Sequence, residues 1–110
     1  MDYKDYPKIN RNDAEIAFAS GDVRSICEAL VSVSLYGEDG KWAQNKCLEF
    51  LRSENSDIKG VAAIGLGHIA RVHRQLDKEK VLAALRRHQH DVAISGQVED
   101  AIDDINMFVP

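Results

Sequence analysis

GVAAIGLGHIA, residues 60–70, is the stretch of sequence that decides the fold. Its second half, from Gly65 to Ala70, has the spacing G-x-G-x-x-A, which occurs in the phosphate-binding turn of dinucleotide folds. The same spacing also suits a helix that carries small residues where a neighbouring helix packs against it. The first interpretation predicts an enzyme, and the second predicts a binding module.

The residues on either side of the glycines favour the helix. A dinucleotide fingerprint needs a strand before the glycines and an acidic residue on a second strand about 20 residues later. Residues 57–64 instead begin with a capping aspartate, residues 69–73 continue a helical pattern, and residues 85–88 have a helical pattern too. We therefore interpret residues 57–73 as one helix.

Small residues recur on one face of this helix, namely Gly60, Ala63, Gly67 and Ala70. Glycine inside a helix costs about 1 kcal/mol relative to alanine, so several glycines need a compensating reason. Side chains this small let the backbone of a second helix come close. We expect tight helix packing along this face.

The same periodicity runs through the rest of the chain, and the only two prolines, Pro7 and Pro110, flank it. It predicts a short first helix, capped by Asn12 or Asp13 and ended by Gly21. Five more helices follow, over Val23–Tyr36, Lys41–Arg52, Ile58–His73, Lys78–His88 and Val92–Phe108. Asp22, Asp77 and Asp91 are the expected caps of the second, fifth and sixth helices, and Gly96 is expected to mark a bend or a close contact in the last.

A similar tripeptide opens three of these helices. Asp57-Ile58-Lys59 follows Asp22-Val23-Arg24 by 35 residues, and Asp91-Val92-Ala93 follows 34 residues later. Each unit is predicted to consist of a helix, a turn, an aspartate cap and a second helix, and such units bury a core by stacking. The sequence therefore predicts an all-α fold in one domain, 1–110, with residues 1–11 as a loosely ordered N-terminal arm.

Residues 57–70 resemble the second helix of a HEAT repeat of the bacterial, lyase-associated kind. The family pattern is Asp, Val, Arg, then an alanine pair, then Ala-Leu-Gly and Ile-Gly. Lys59 stands in place of the arginine, Gly65 in place of an alanine, and Ala70 in place of the closing glycine. The resemblance is looser in the first unit, and the third keeps mainly the Asp-Val pair and the spacing. It implies a short right-handed α-α superhelix of about three helical hairpins.

Composition limits the classes of partner and the cellular location that we expect. The formal net charge of −4 disfavours nucleic acid and anionic membranes as partners. The sequence shows no signal peptide and no apolar run long enough to span a membrane, so we expect a cytoplasmic protein. In that compartment Cys27 and Cys47 are expected to be reduced, buried thiols.

No pattern in the sequence matches a known catalytic or metal-binding arrangement. His88 and His90 flank Gln89, but no third ligand follows at helical spacing, and H-E-x-x-H is absent. His68 is expected to be a hydrogen-bonded packing residue. No G-x-S-x-G occurs, and neither cysteine lies in an electropositive motif. We predict a non-catalytic binding module without a cofactor or a metal.

Charge is distributed unevenly along the chain. Residues 71–90 hold six basic residues against two acidic ones, whereas residues 91–110 hold five acidic residues and no basic one. The carboxylates of the last helix are predicted to lie on its exposed face, where nothing would raise their pKa. Such a face is either simply solvated or a recognition surface. As a recognition surface, its candidate partner-binding residues are Glu99, Asp100, Asp103 and Asp104, with Asp22, Glu38, Asp39 and Trp42 as weaker candidates.

Over its whole length the chain resembles small bacterial HEAT-like proteins, through Gly21-Asp22-Val23, residues 66–71 and residues 98–105. Some of these are immunity partners in contact-dependent inhibition and related polymorphic-toxin systems. The resemblance implies a monomeric immunity protein that binds a basic toxin domain, for example a nuclease, through an acidic surface. The alternative is an adaptor or scaffold subunit of an enzyme complex, either lyase-like or chaperone-like.

Overall fold

The computed structural model describes residues 8–110 and confirms the all-α prediction. No strand occurs within that range. Residues 1–7, most of the predicted N-terminal arm, lie outside it. The helices are α1 (Arg11–Ala19), α2 (Val23–Tyr36), α3 (Gly40–Phe50), α4 (Ser56–His73), α5 (Lys78–Arg86) and α6 (Ser95–Phe108).

The helix containing residues 60–70 is the centre of the molecule. α4 packs against α2 and α3 on one side and against α6 on the other. It contributes a run of six buried residues, 65–70, which equals the buried run 29–34 of α2. α1, α3 and α5 each pack against the even-numbered helix that follows.

The even-numbered helices run parallel to one another. Gly60 of α4 faces Ile94 and Gln97 at the start of α6, and Gly67 faces Ala101 and Asp104 further along it. Both helices therefore advance in the same direction. α2 and α4 show the same relation, because the Asp57 charge acts on Cys27 and Gly65 lies against Ser34.

The glycines of α4 are explained by packing, as predicted. A methyl group added to Gly65 would lie 2.7 Å from Ser34 Oγ and 2.8 Å from Cys47 Sγ. Added to Gly67, it would lie 3.3 Å from Ala101 Cα. Gly65 thus gives α2 and α3 room on one side of α4, and Gly67 gives α6 room on the other. The close contact expected at Gly96 is wrong, because nothing lies within 4 Å of a methyl group built there.

Several predicted helix caps are wrong, because nearby polar residues compete for the same N–H groups. Asn10, rather than Asn12 or Asp13, caps α1 by accepting the Asp13 N–H at 2.8 Å. Asn55, rather than Asp57, caps α4. The predicted cap of α2 is confirmed, because the Asp22 carboxylate accepts the Ser25 N–H at 3.0 Å.

The aspartates before α5 and α6 tie the helix pairs together. Asp77 occupies the N-cap position of α5, as predicted, but its side chain accepts no capping N–H, and Asp91 is not the cap of α6. Gln44, which is buried, donates to the Asp77 carboxylate at 2.9 Å and accepts the Asp77 N–H at 2.8 Å. Asp91 pairs with Lys59 of α4 and accepts the Ala93 N–H, so that α6 begins three residues later than predicted. α3 begins one residue early and ends two residues short of its predicted bounds, and α5 ends two residues short.

Candidate functional site

A groove of about 480 Å³ runs between α4 and α6 on the outer face of the even-numbered helices. Ile64 and Ala101 contribute its apolar surface. The polar residues around it are His68 and Arg71 of α4 and Asp100, Asp103 and Asp104 of α6. This groove combines apolar surface with a concentration of carboxylates.

The four carboxylates of α6 are close in sequence but differ in their exposure to solvent. Glu99, Asp100 and Asp103 are exposed, as predicted. Asp104 is half-buried, because its side chain lies over Gly67. Burial raises the pKa of the Asp104 carboxyl, the Arg71 charge opposes that rise, and Asp100 and Asp103 add to it. The prediction that nothing raises a pKa on this face is therefore wrong for Asp104.

Among the residues that line the groove, Arg71 of α4 carries the only guanidinium. Arg71 Nε lies 3.8 Å from Asp104 Oδ2, and an Arg71 Nη contacts His68 Nδ1. His68 is only 6 % exposed, which agrees with the prediction of a hydrogen-bonded packing residue. Burial, and after it the Arg71 charge, lowers the pKa of His68 to about 4, so this imidazole is neutral at neutral pH.

The weaker candidates lie away from the groove. Asp22 caps α2, and its hydrogen bonds with Ser25 lower its pKa. Asp39 caps α3 by accepting the Trp42 N–H at 3.0 Å, and Arg11 lies 3.4 Å from its carboxylate.

Arg11 also stacks over the Trp42 ring, with its guanidinium carbon 4.3 Å from the ring centroid. Trp42 in turn meets Phe18 edge to face, with centroids 6.1 Å apart. Glu38 is exposed and lies beside Asp39 and Trp42 at a separate cavity of about 380 Å³. The predicted site residues therefore fall into three separate regions, which are the groove, the start of α2 at Asp22, and the segment after the end of α2 at Glu38, Asp39 and Trp42.

The basic stretch of the sequence is only partly a free surface. Arg71 pairs with Asp104, and Arg74 lies over the Phe108 ring at 5.4 Å. Lys78 Nζ donates to the Val109 carbonyl at 2.9 Å. These three cations hold the C-terminal part of α6 in place, which the sequence pattern did not indicate.

Sequence reasoning missed the α4 half of the groove. Ile64, His68 and Arg71 are spaced by four and three residues, so they share one face of α4. That spacing was a usable signal, but nothing local marks this face as the one beside the carboxylates of α6.

The cysteine thiols and the possible metal ligands within residues 8–110 do not form a second site. Cys27 and Cys47 are free thiols, and burial raises the pKa of Cys47 to about 12. Within residues 8–110, no three His, Cys, Asp or Glu side chains come close enough to hold a metal ion. No helix in that range is both long and apolar enough to cross a membrane.

Comparison with solved structures finds a close likeness that covers nearly the whole chain. The chain is similar to a chain in the crystal structure of the CDI complex from Cupriavidus taiwanensis LMG 19424, with a TM-score of 0.87 and 26 % sequence identity. The match covers 98 % of this chain and 97 % of that one. No protein-family model and no curated protein matches the sequence.

Proposed function

We propose that this chain is a non-catalytic immunity protein of a contact-dependent inhibition system, which binds and neutralises a toxin domain. The proposal rests on the full-length likeness to a chain of a CDI complex. We take CDI to denote contact-dependent inhibition, in which a toxin domain is paired with a protein that protects the producing cell. The likeness extends over nearly the whole of both chains, so it concerns a complete fold and not a shared fragment.

The chemistry of the buried groups favours the inhibitor over the toxin as the counterpart of this chain. A cysteine acts as a nucleophile in its thiolate form, and a pKa of about 12 keeps Cys47 protonated. A histidine that acts as a general base works best with a pKa near the operating pH, whereas that of His68 is about 4. Both groups fit a packing role.

The acidic groove supports a basic partner. Positive and negative surfaces steer two proteins together and exclude wrong partners. Toxin domains that cleave nucleic acid need basic surfaces for phosphate, and carboxylates on this chain would cover such a surface. The site of action would be the cytoplasm, where the incoming toxin meets its substrate, and the free protein would be a monomer.

Growth assays test this proposal directly. The chain is expressed alone, and then together with the toxin domain encoded beside its gene, with a toxin domain from an unrelated system as the control. We expect normal growth with the chain alone, rescue of cells that express the cognate toxin, and no rescue from the unrelated one.

Two results would overturn the proposal. Growth arrest by the chain alone would make it the toxin member of such a pair. Normal growth without any rescue, together with co-purification of a resident enzyme complex, would favour the adaptor function instead.

We also propose that the three helix pairs are HEAT-like repeats. Ser34 lies against Gly65, 31 residues later, and Gly67 lies against Ala101, 34 residues later, which supports a regular stack of parallel helices. In an experimental structure, one common rotation and translation should relate α2 to α4 and α4 to α6. Two unrelated operations would contradict the repeat assignment.

A further inference from the structure

We propose that the groove between α4 and α6 is the docking site for an arginine- or lysine-bearing segment of the toxin domain, whose cation replaces Arg71 beside Asp104. This inference rests on the proposed function and names the surface that performs it. It separates the groove from Asp22 and from the region of Asp39 and Trp42, which sequence alone placed in the same set.

The groove has the shape and the surface that an arginine side chain needs. Its volume is about 480 Å³, and the half-buried Ile64 supplies apolar contact for a side-chain stem. Arginine and lysine bury such stems along apolar surface while their charged ends stay on polar groups. The carboxylates of Asp100, Asp103 and Asp104 lie where that charged end would arrive.

The charges of the groove do not balance within the chain. Three carboxylates and one guanidinium, that of Arg71, line it. Residues 91–110 contain no lysine or arginine that could neutralise the other two carboxylates, those of Asp100 and Asp103. The surplus of negative charge is complementary to a cationic segment of a partner.

Three aspartates in other parts of the fold are already held by short contacts. Asp39 accepts the Trp42 N–H and pairs with Arg11. Asp77 is bound by Gln44 and by Lys41, the latter at 3.2 Å, and Asp91 is bound by Lys59. A partner cation would have to displace short contacts that hold the fold together at those positions. Within residues 8–110 no ion pair or side-chain hydrogen bond holds Asp100 or Asp103, and the pair of Asp104 with Arg71 is longer, at 3.8 Å.

Arg71 is well placed to be exchanged. Its Nε lies 3.8 Å from Asp104 Oδ2, and its side chain is 44 % exposed, whereas that of Asp104 is 31 % exposed. A long, partly solvated ion pair contributes little to stability, so breaking it costs little. Burial raises the pKa of Asp104, so a closer cation on that carboxylate would relieve an unfavourable charge.

Titration calorimetry with the purified toxin domain tests the docking site. Asp100→Lys with Asp103→Lys should weaken binding about 100-fold, because two attractive contacts become repulsive. Glu49→Lys with Glu54→Lys is the matched control, since both residues are exposed and the charge change is the same. The control pair should bind within about threefold of the unmodified chain. Circular dichroism melts check that both variants are folded.

The exchange of Arg71 has a test of its own. Arg71→Gln removes the internal competitor for Asp104, so it should tighten binding of the toxin domain by about threefold to tenfold. Arg86→Gln is the control, because Arg86 is exposed on α5, and it should leave binding unchanged. Weaker binding of Arg71→Gln would overturn the exchange, because Arg71 would then be a contact itself.

The outcomes separate the inference from the proposed function. Absence of binding by the unmodified chain would refute the immunity function, and the docking site with it. If the unmodified chain binds the toxin domain, and Asp100→Lys with Asp103→Lys binds it as tightly as the control pair does, the docking site is overturned while the immunity function stands. In that case Asp22→Lys and Asp39→Lys, made separately, would show whether either of the other two regions binds.

Discussion

The two sides of α4 make an instructive comparison, because the same helix is closed on one side and open on the other. Towards α2 and α3, Gly65 lies against Ser34 and Cys47, which are fully buried and within 3.4 Å of each other. Towards α6, Gly67 lies under Asp104, which is half-buried at the edge of a groove.

Glycine therefore serves two purposes on one helix. On the closed side it admits two packed neighbours, and any added atom must displace buried side chains. On the α6 side it lets a carboxylate lie against the backbone, where part of its hydration is lost. The closed side contributes stability, and we propose that the open side contributes recognition. The following predictions test that division, from the largest expected effect to the smallest.

Gly65→Leu should lower the free energy of unfolding by about 3 kcal/mol or more, because overpacking forces buried neighbours to shift. Gly96→Leu is the matched control, since nothing lies within 4 Å of a methyl group there. Urea unfolding followed by circular dichroism measures both variants. A loss below about 1 kcal/mol for Gly65→Leu would show that the closed side can repack.

His68 should make the protein sensitive to mild acid. Its folded pKa of about 4 lies below the ordinary histidine value of 6.5, so the unfolded chain binds more protons between these values. The contribution of the neutral His68 side chain to the free energy of unfolding is complete above pH 6.5. It declines as the pH falls towards 4, by on the order of 2 kcal/mol. Urea unfolding at a series of pH values should show this decline.

The matched variants for this effect are His68→Gln and His90→Gln. His68→Gln should flatten the decline between pH 6.5 and 4, because it removes the titrating imidazole. His90→Gln should leave it unchanged, because His90 is exposed. Asp22, Asp77 and Asp91 have lowered pKa values, so their contributions are lost only below the range of an ordinary carboxyl. A decline that persists in His68→Gln would contradict the assignment.

Gly60→Ala and Gly67→Ala should differ by about 1 kcal/mol in unfolding free energy. Alanine is the better helix former by about that amount, and at position 60 the nearest atoms are 3.5 Å away, an ordinary contact. At position 67 the methyl group would lie 3.3 Å from Ala101 Cα, so α6 must move and the gain is cancelled. Equal stabilisation of both variants would mean that α6 adjusts freely.

Asp104→Asn should have the smallest effect on folding, a gain below about 0.5 kcal/mol, because it removes a partly desolvated charge. The same change should weaken binding of the toxin domain, since the carboxylate is the proposed anchor. Thermal melts and calorimetry on one preparation measure both quantities. A loss of stability with unchanged affinity would reverse the assignment and make Asp104 a structural residue.

The sequence by itself determined the helical class, because periodicity and capping act within a few residues. The bounds of α2 agree with the prediction, and the glycines of residues 60–70 have the packing role that their spacing indicated. Helix starts were less accurate wherever a distant residue competes for the capping group. Asp91 is an example, because Lys59 binds it from α4.

Only the tertiary structure decided which carboxylates are committed and which are available. Asp39 and Asp104 are equivalent by residue type, yet Asp39 caps α3 and lies 3.4 Å from Arg11, whereas Asp104 lies over Gly67 at the edge of a groove and 3.8 Å from Arg71. That difference follows from the parallel packing of α4 and α6, which places residues some 34 positions apart against each other. Burial and ion pairing depend on such long-range contacts, and no local pattern in the sequence specifies them.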